Sequence, residues 1–446
     1  MTCSASLDRI CRGRIAVLGH GREGRSAVRA ISRHRPGADI TVLVESGQGP
    51  SDLPTRTGPF VASDLEAFDV LVRSPGIPVD HPALAACRER GGCIVNPSSI
   101  WFSERGDIPV VGVTGSKGKS TTAALLSHLL AACGRRVLLA GNIGVPLLDH
   151  LDTDADVVVM ELSSYQLADL EGRLELGIVT RLFAEHIDWH GSLERYTAAK
   201  LRIADLLAGR PLVINAADPV LVEATASIRS RVAGNRPPRI HRVDDELVLA
   251  DRRLIGGSET ALVGRHNLDN AALAIDAGIL LGEPVEILVD ALRDFRPLSH
   301  RLETVGEKAG VRWINDSIAT SPHATLAALQ SLESEEVILI AGGQRRPADW
   351  TGVVEWLGRE GLFGLITLPD NGPGIQASFS RAGLVPRVGM HSAETVEEAV
   401  GIASRLGRPG VVVLLSPGAP SFPHFRDFEQ RGERFVEAVG ALAAGA

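Results

Sequence analysis

The chain has 446 residues, 44% hydrophobic but only 4% aromatic, with a formal net charge of −8. That length suits two or three domains of roughly 100–200 residues each, and the acidic balance excludes a surface built to coat nucleic acid. Five cysteines, none at Cys-x-x-Cys spacing, predict reduced structural thiols; the N-terminus lacks a signal-peptide apolar region, and no run approaches the roughly 18 apolar residues of a membrane span, so a cytoplasmic protein is expected.

The pattern predicts three α/β blocks at 1–105, 106–299 and 300–446, with strands alternating with helices and therefore parallel sheets. In the first block a strand over 14–18 runs into Gly19-His20-Gly21-Arg22-Glu23-Gly24, with a helix from about Ser26. A second strand over 40–44 ends at Glu45, and a third over 69–72 ends at Ser74-Pro75-Gly76. Glycines at this spacing, with an acidic residue about twenty positions on, form a dinucleotide-binding pattern. They equally suit a tight turn without a ligand. A polar stretch over 103–107 reads as a linker.

The second block opens with the most informative string, VVGVTGSKGKSTTAALLSHLL over 110–130. An apolar strand, the turn Gly115-Ser116-Lys117-Gly118, and then Lys119-Ser120-Thr121 at a helix start make an anion cradle. Lys119 can reach the β- and γ-phosphates of a nucleoside triphosphate, and Ser120 or Thr121 can hold Mg²⁺. Val113 stands where the usual phosphate-loop pattern has its first glycine, so the loop is a variant. Next, the apolar run 157–160 ends in Glu161, a carboxylate at a strand end suited to a metal or to capping the next helix. The stretch 176–182 leads into Glu185-His186-Ile187-Asp188-Trp189-His190, where His186 is a candidate metal ligand and Asp188 and His190 read as supporting residues. Lys200 lies in a helix and nothing local marks it out. Asn270, in GRHNLDN before an Ala-rich helix, can pair with an adenine edge, while Asn267 suits a helix cap.

In the third block strands are expected over 312–314, 337–340, 362–368 and 411–415. Arg301 suits a phosphate and Asp316, at a strand end, suits ribose hydroxyls. Ser416-Pro417-Gly418-Ala419-Pro420-Ser421 follows another strand end.

Taken in order, GSKGKST, GNIG, ELSSYQL, EHIDWH, YTAAKLR, GRHNLDN, HRLE, NDSIAT and SPGAPSF resemble the Mur ligases of peptidoglycan synthesis over nearly the whole chain. The resemblance implies three domains: an N-terminal Rossmann-like UDP-binding domain, a central P-loop ATPase with a parallel sheet, and a C-terminal Rossmann-like ligase domain. It implies that Gly19, Gly21, Gly24, Glu45, Ser74, Pro75, Gly76 and Asn142 meet a UDP-sugar. It implies that Gly115, Ser116, Lys117, Gly118, Lys119, Ser120, Thr121, Asn270, Arg301 and Asp316 meet ATP. Lys119, Glu161, His186 and Lys200 would be catalytic. Ser120, Glu161, His186 and, if carbamylated, Lys200 would hold Mg²⁺. Thr320, Arg346, Ser421 and Phe428 would bind glutamate.

The implied reaction is ATP-dependent addition of glutamate to UDP-N-acetylmuramoyl-L-alanine through an acyl phosphate, by a monomer. Where the D-glutamate-adding members carry lysine, this chain has Ile318 and the pair Arg345-Arg346, and the NDSIAT and SPGAPSF strings look like the L-glutamate-adding branch. The alternatives are the D-glutamate enzyme and a folylpolyglutamate-type ligase. A nicotinamide-dependent oxidoreductase would leave the phosphate loop unexplained, and a non-catalytic nucleotide-binding module would leave Lys119, Glu161, His186 and Lys200 unexplained.

Overall fold

The computed structural model describes the chain except for residues 1–4, 46–48, 143–144, 184–186, 227, 229–232, 237–238, 263, 297–298, 333–334, 346–347 and 443–446. It divides into two compact units, Met1–Thr260 with Asn267–Phe295, and Ala261–His266 with Arg296–Ala446.

The first unit holds two parallel sheets. One is built from β1 (Ile15–Leu18), β2 (Ile40–Val44), β3 (Thr55–Thr57), β4 (Val70–Arg73) and β5 (Cys93–Val95), in the order β3-β2-β1-β4-β5. The other contains β6 (Val110–Thr114), β7 (Val137–Gly141), β8 (Val157–Glu161), β9 (Leu176–Val179), β10 (Pro211–Ile214) and β11 (Ala233–Arg236), in the order β11-β10-β9-β6-β8-β7. The continuous apolar runs of β1, β4, β6 and β8 are buried along their whole length, as strands covered on both faces require. A single apolar cluster joins the two sheets' surroundings, with Trp101, Ile15 and Val72 in the same set as Met160 and Leu174. An antiparallel meander, β12 (Ile240–Val243), β13 (Glu246–Leu249) and β14 (Arg252–Gly256), follows.

The second unit has one sheet, of β15 (Glu303–Lys308), β16 (Val311–Asn315), β17 (Glu336–Gly343), β18 (Gly364–Asp370), β19 (Met390–Ser392) and β20 (Val411–Leu415). Its order is β15-β16-β20-β17-β18-β19, parallel apart from the edge strand β15.

The α/β class with parallel sheets is therefore as expected. Several details differ. The helix after the first glycine turn starts at Arg22 rather than near Ser26. The expected linker begins inside a helix, Pro97–Glu104, and Arg105 donates to the Leu151 carbonyl at 2.6 Å, so the stretch is fastened down. Its polar composition reflects one exposed helix end, not a free connection. Cys11, Cys87 and Cys133 are free. No helix among the described residues is long and apolar enough to cross a membrane.

A buried ion pair locks the end of β4. The Arg73 side chain is fully buried; its Nε and Nη2 donate to the two carboxylate oxygens of Asp169 at 2.8 and 2.6 Å. Its Nη1 also donates to the carbonyls of Ser74, Pro75 and Ile77, and Nη2 to that of Tyr165. Removing one partner strands a buried charge, which costs about 3–5 kcal/mol. Asp169→Ala is therefore expected to lose about that much stability in chemical denaturation followed by circular dichroism. A loss below about 1 kcal/mol would show that the pair is not needed.

Candidate functional site

The register of the central sheet assembles the site. β6 pairs with β8 so that Val113 lies beside Glu161, and β7 pairs with β8 so that Gly141 also lies beside Glu161. The glycine loop after β6, the carboxylate ending β8 and the turn after β7 thus emerge at one sheet edge, where parallel sheets bind ligands.

Gly115 has φ +144°, and a Cβ there would sit 2.0 Å from Thr180 Oγ1, so only glycine fits. Thr180 Oγ1 donates to the Lys117 carbonyl at 2.5 Å, and the Ser116 N–H donates to the Arg181 carbonyl at 2.7 Å. The end of β9 therefore braces the loop from below. Gly118 is the N-cap of the helix Lys119–Ala132, whose second and third residues, Ser120 and Thr121, are buried. Lys119 Nζ folds back to the Ser116 carbonyl at 2.9 Å. Lys200 is buried, donates to the Gly115 carbonyl at 2.7 Å and lies 4.9 Å over the Tyr196 ring. Nothing in its local sequence foretells that position, because only the tertiary fold brings its helix to the loop.

Glu161 is 1% exposed. Its Oε1 accepts from Asn142 Nδ2 at 2.7 Å, whereas its buried Oε2 has no hydrogen-bond partner. An unpartnered buried carboxylate oxygen is costly, and a cation relieves that cost. Glu161 is not a helix cap: Ser163 and Gln166 form a capping box at the start of the helix Ser164–Leu167. His186 lies outside the described residues. Among the described residues no three His, Cys, Asp or Glu side chains cluster as a metal site. His190 is buried and its Nε2 is 2.9 Å from Ser164 Oγ.

A cleft of about 430 Å³ adjoins this edge. Gly19, Gly21, Ser74, Pro75, Gly76 and Asn142 line it, all six expected at one ligand. Gly24 acts instead in packing, since a Cβ there would be 2.0 Å from the Gly19 carbonyl and would keep the helix off the strand. Glu45 is exposed, 3.7 Å from His81, and is not among the lining residues. Glu23, inside the glycine turn, and Tyr165 and Gln166, inside ELSSYQL, also line the cleft, although sequence reasoning gave them no role. Asn270 is buried against the phosphate loop, where a Cβ on Gly118 would meet its Oδ1 at 2.5 Å, and its Nδ2 donates to Asn267 Oδ1. Asn267 falls within the helix Arg265–Leu280 and does not cap it.

In the second unit, Asp316 is buried and accepts from Ser416 Oγ at 2.9 Å. Arg301 Nε is buried without a hydrogen-bond partner. Arg431, nearly fully buried, donates to Ser317 Oγ, the Ser317 carbonyl and the Ala419 carbonyl, tying two strand-end loops together. Burial lowers its pKa to about 10, so it stays charged. Ser421 lines a cleft of about 320 Å³ with Gly342, Gly343 and Arg431. Thr320 is exposed and Phe428 half-buried, and neither lines that cleft. Arg346 lies outside the described residues.

Residues 113–278 match the Mur ligase middle domain, and residues 300–418 match the Mur ligase, glutamate ligase domain. Two curated relatives carry the name UDP-N-acetylmuramoyl-L-alanine–L-glutamate ligase. The one from Micromonospora is 41% identical, with 96% of this chain and 97% of that protein covered. The one from Xanthomonas euvesicatoria is 37% identical, with 96% and 95% covered. Among solved structures, the UDP-N-acetylmuramate–alanine ligase MurC of Thermotoga maritima shares the fold at a TM-score of 0.58, with 20% identity and 96% of this chain and 99% of that chain covered.

Glu23 makes the cleft sensitive to pH. Burial raises its carboxyl to about 7 from 4.5; Arg22 pulls it back and Asp149 adds to the rise. The folded chain holds this proton more tightly than the unfolded chain. The group's stabilisation is therefore complete below pH 4.5 and is lost as pH rises through about 7. Glu23→Gln is expected to raise the thermal midpoint over the parent at about pH 8 more than at about pH 5. Equal differences at both pH values would contradict the burial of this carboxyl.

Proposed function

The chain belongs to the Mur ligase family, and from that premise we propose that it joins L-glutamate to UDP-N-acetylmuramoyl-L-alanine with cleavage of ATP to ADP and phosphate. The observation that carries the reading is Glu161. It stands between a phosphate loop and a cleft suited to a nucleotide-sugar, bonded through Oε1 to Asn142 of that cleft and left bare at Oε2. The complete parallel sheet β1–β5 ahead of the phosphate loop supports a UDP-sugar ligase over a folylpolyglutamate-type enzyme.

A carboxylate is a poor electrophile at neutral pH. In the proposed reaction an oxygen of the alanyl carboxylate attacks the γ-phosphorus of ATP, and ADP leaves with the bond electrons. The glutamate amine then attacks the acyl carbon, loses a proton, and inorganic phosphate departs. Positioning and charge stabilisation supply most of the catalysis in such transfers. Lys119 exchanges its bond to the Ser116 carbonyl for a γ-phosphate oxygen. The loop amides and the N-terminus of the helix Lys119–Ala132 face the phosphates.

The donor set fits Mg²⁺, which takes few carboxylates and completes its shell with phosphate oxygens and water. Glu161 Oε2 and the Ser120 hydroxyl would hold it, with His186; Lys200 joins them only as a carbamate, since its ammonium now donates to Gly115. When bound, the ion neutralises charge on the transferring phosphoryl group. As the family resemblance implies, Asn270, Arg301 and Asp316 would serve ATP and Thr320, Arg346, Ser421 and Phe428 glutamate, although of these last four only Ser421 lines the cleft of the second unit among the described residues. The enzyme acts as a cytoplasmic monomer.

Two outcomes follow. Lys119→Ala is expected to cost about 3–4 kcal/mol of transition-state stabilisation, roughly a hundredfold or more in turnover, with the thermal midpoint unchanged. A near-normal rate of ADP formation would remove Lys119 from the chemistry. Phosphate release with ATP, Mg²⁺ and UDP-N-acetylmuramoyl-L-alanine is expected with L-glutamate and not with D-glutamate. Release with the D form alone would assign the protein to the D-glutamate branch.

A further inference from the structure

The two ligand-facing edges of the first unit are joined by side chains whose mutual contacts the motifs do not foretell. The indole Nε1 of Trp189 donates to the Gly76 carbonyl at 3.1 Å, on the loop that lines the cleft. The Trp189 ring packs 4.6 Å from that of Tyr165, a second residue of the cleft wall. It also meets His190 edge-on at 4.4 Å, Tyr165 itself stacks on His190 at 5.8 Å, and His190 in turn meets Tyr196 edge-on at 5.3 Å. Tyr196 is fully buried, and its hydroxyl lies 2.7 Å from Ser116 Oγ in the phosphate loop. Ser116 Oγ also lies 2.9 Å from the Phe183 carbonyl, to which it can donate.

One packed cluster of rings, hydrogen-bonded through Trp189 to the Gly76 carbonyl and through Tyr196 to Ser116 Oγ, thus spans the cleft loop and the phosphate loop. Rings in such edge-on and offset contacts resist independent movement. Each terminal hydrogen bond fixes a carbonyl or hydroxyl whose position sets the shape of its loop. The helix that carries Trp189, Ile187–His190, immediately follows residues 184–186.

On the reading of the site as a nucleotide-sugar cleft beside an ATP loop, we propose that Trp189 is a positioning residue that holds the Gly76 loop for a nucleoside diphosphate-sugar and, through His190 and Tyr196, makes binding at the two loops interdependent. Trp189 touches neither substrate's reacting atoms. It acts by setting the Gly76 carbonyl and the Tyr165 ring. Such coupling is reciprocal: a nucleotide bound at the phosphate loop tightens the cleft for the sugar nucleotide, and the sugar nucleotide tightens the loop by the same factor.

The test uses the full chain and calorimetric titration of UDP-N-acetylmuramoyl-L-alanine, alone and with a saturating non-hydrolysable ATP analogue. The parent is expected to bind the sugar nucleotide roughly fivefold or more tightly when the analogue is present. Trp189→Phe keeps an aromatic ring and removes the donor. It is expected to bind the sugar nucleotide roughly three- to tenfold more weakly, to bind the analogue as the parent does, and to lose the coupling. Tyr196→Phe, which removes only the hydroxyl, is expected to show the mirror image: weaker analogue binding, parent-like sugar-nucleotide binding, and no coupling. The proposal is overturned if the parent shows no coupling, if Trp189→Phe retains it, or if both affinities fall together in either variant, as general loosening would cause. Failure of the parent to bind either ligand would instead overturn the functional reading on which the proposal rests.

Discussion

The site depends on the parallel pairing of β6 with β8. That register sets Val113 beside Glu161, so a phosphate-binding loop and a carboxylate leave neighbouring strands at the same end. Shifting a strand by one residue would turn every side chain to the opposite face, and the position of Glu161 at the loop with it. The carboxylate is then held in an asymmetric state, one oxygen bonded to Asn142 and the other bare. An asymmetric buried carboxylate is unfavourable for folding alone. On the proposed reading a cation and phosphate oxygens complete its environment, so a local instability of the fold coincides with the place where the chemistry would use it.

The supports around this centre differ in kind. Arg73 and Asp169 form a buried ion pair that gathers the carbonyls of Ser74, Pro75 and Ile77 around one guanidinium. Its planar, multi-donor geometry can serve all these acceptors at once, as a lysine could not. The ring series from Trp189 to Tyr196 is mostly apolar and gains from packing. In the second unit, Arg431 does for the Ser317 and Ala419 loops what Arg73 does for the Ser74 loop. In both places a buried arginine replaces the regular hydrogen bonding that irregular strand-end loops lack.

The phosphate loop was legible in the sequence because its physics is local: a strand, a turn that needs glycine, and a helix start lie within a dozen residues. The glycine turn at Gly19 and Gly21 was legible for the same reason, though its pattern alone did not name the ligand. Glu161 was legible as a strand-end carboxylate, but its alternative role as a helix cap could be settled only by the Ser163–Gln166 box. Lys200, Asn142 and the contact of Asn270 with the phosphate loop owed their assignment to family resemblance or to the fold, since nothing in their neighbours distinguishes them. The contacts of Arg73, Trp189 and Tyr196 were not legible. Their partners Asp169, Gly76 and Ser116 lie 96, 113 and 80 positions away, beyond the reach of any local pattern. The meander β12–β14 and the edge strands were missed because short, half-exposed strands carry a weak alternation signal.

The central claim is that the phosphate loop activates the carboxylate of the nucleotide-sugar substrate. Oxygen tracing tests it most directly. UDP-N-acetylmuramoyl-L-alanine carrying ¹⁸O in its alanyl carboxylate is turned over with ATP and L-glutamate, and the released phosphate is analysed by mass spectrometry. Transfer through an acyl phosphate places one ¹⁸O in each phosphate formed. Phosphate free of the label, released at the rate of amide formation, would contradict the account.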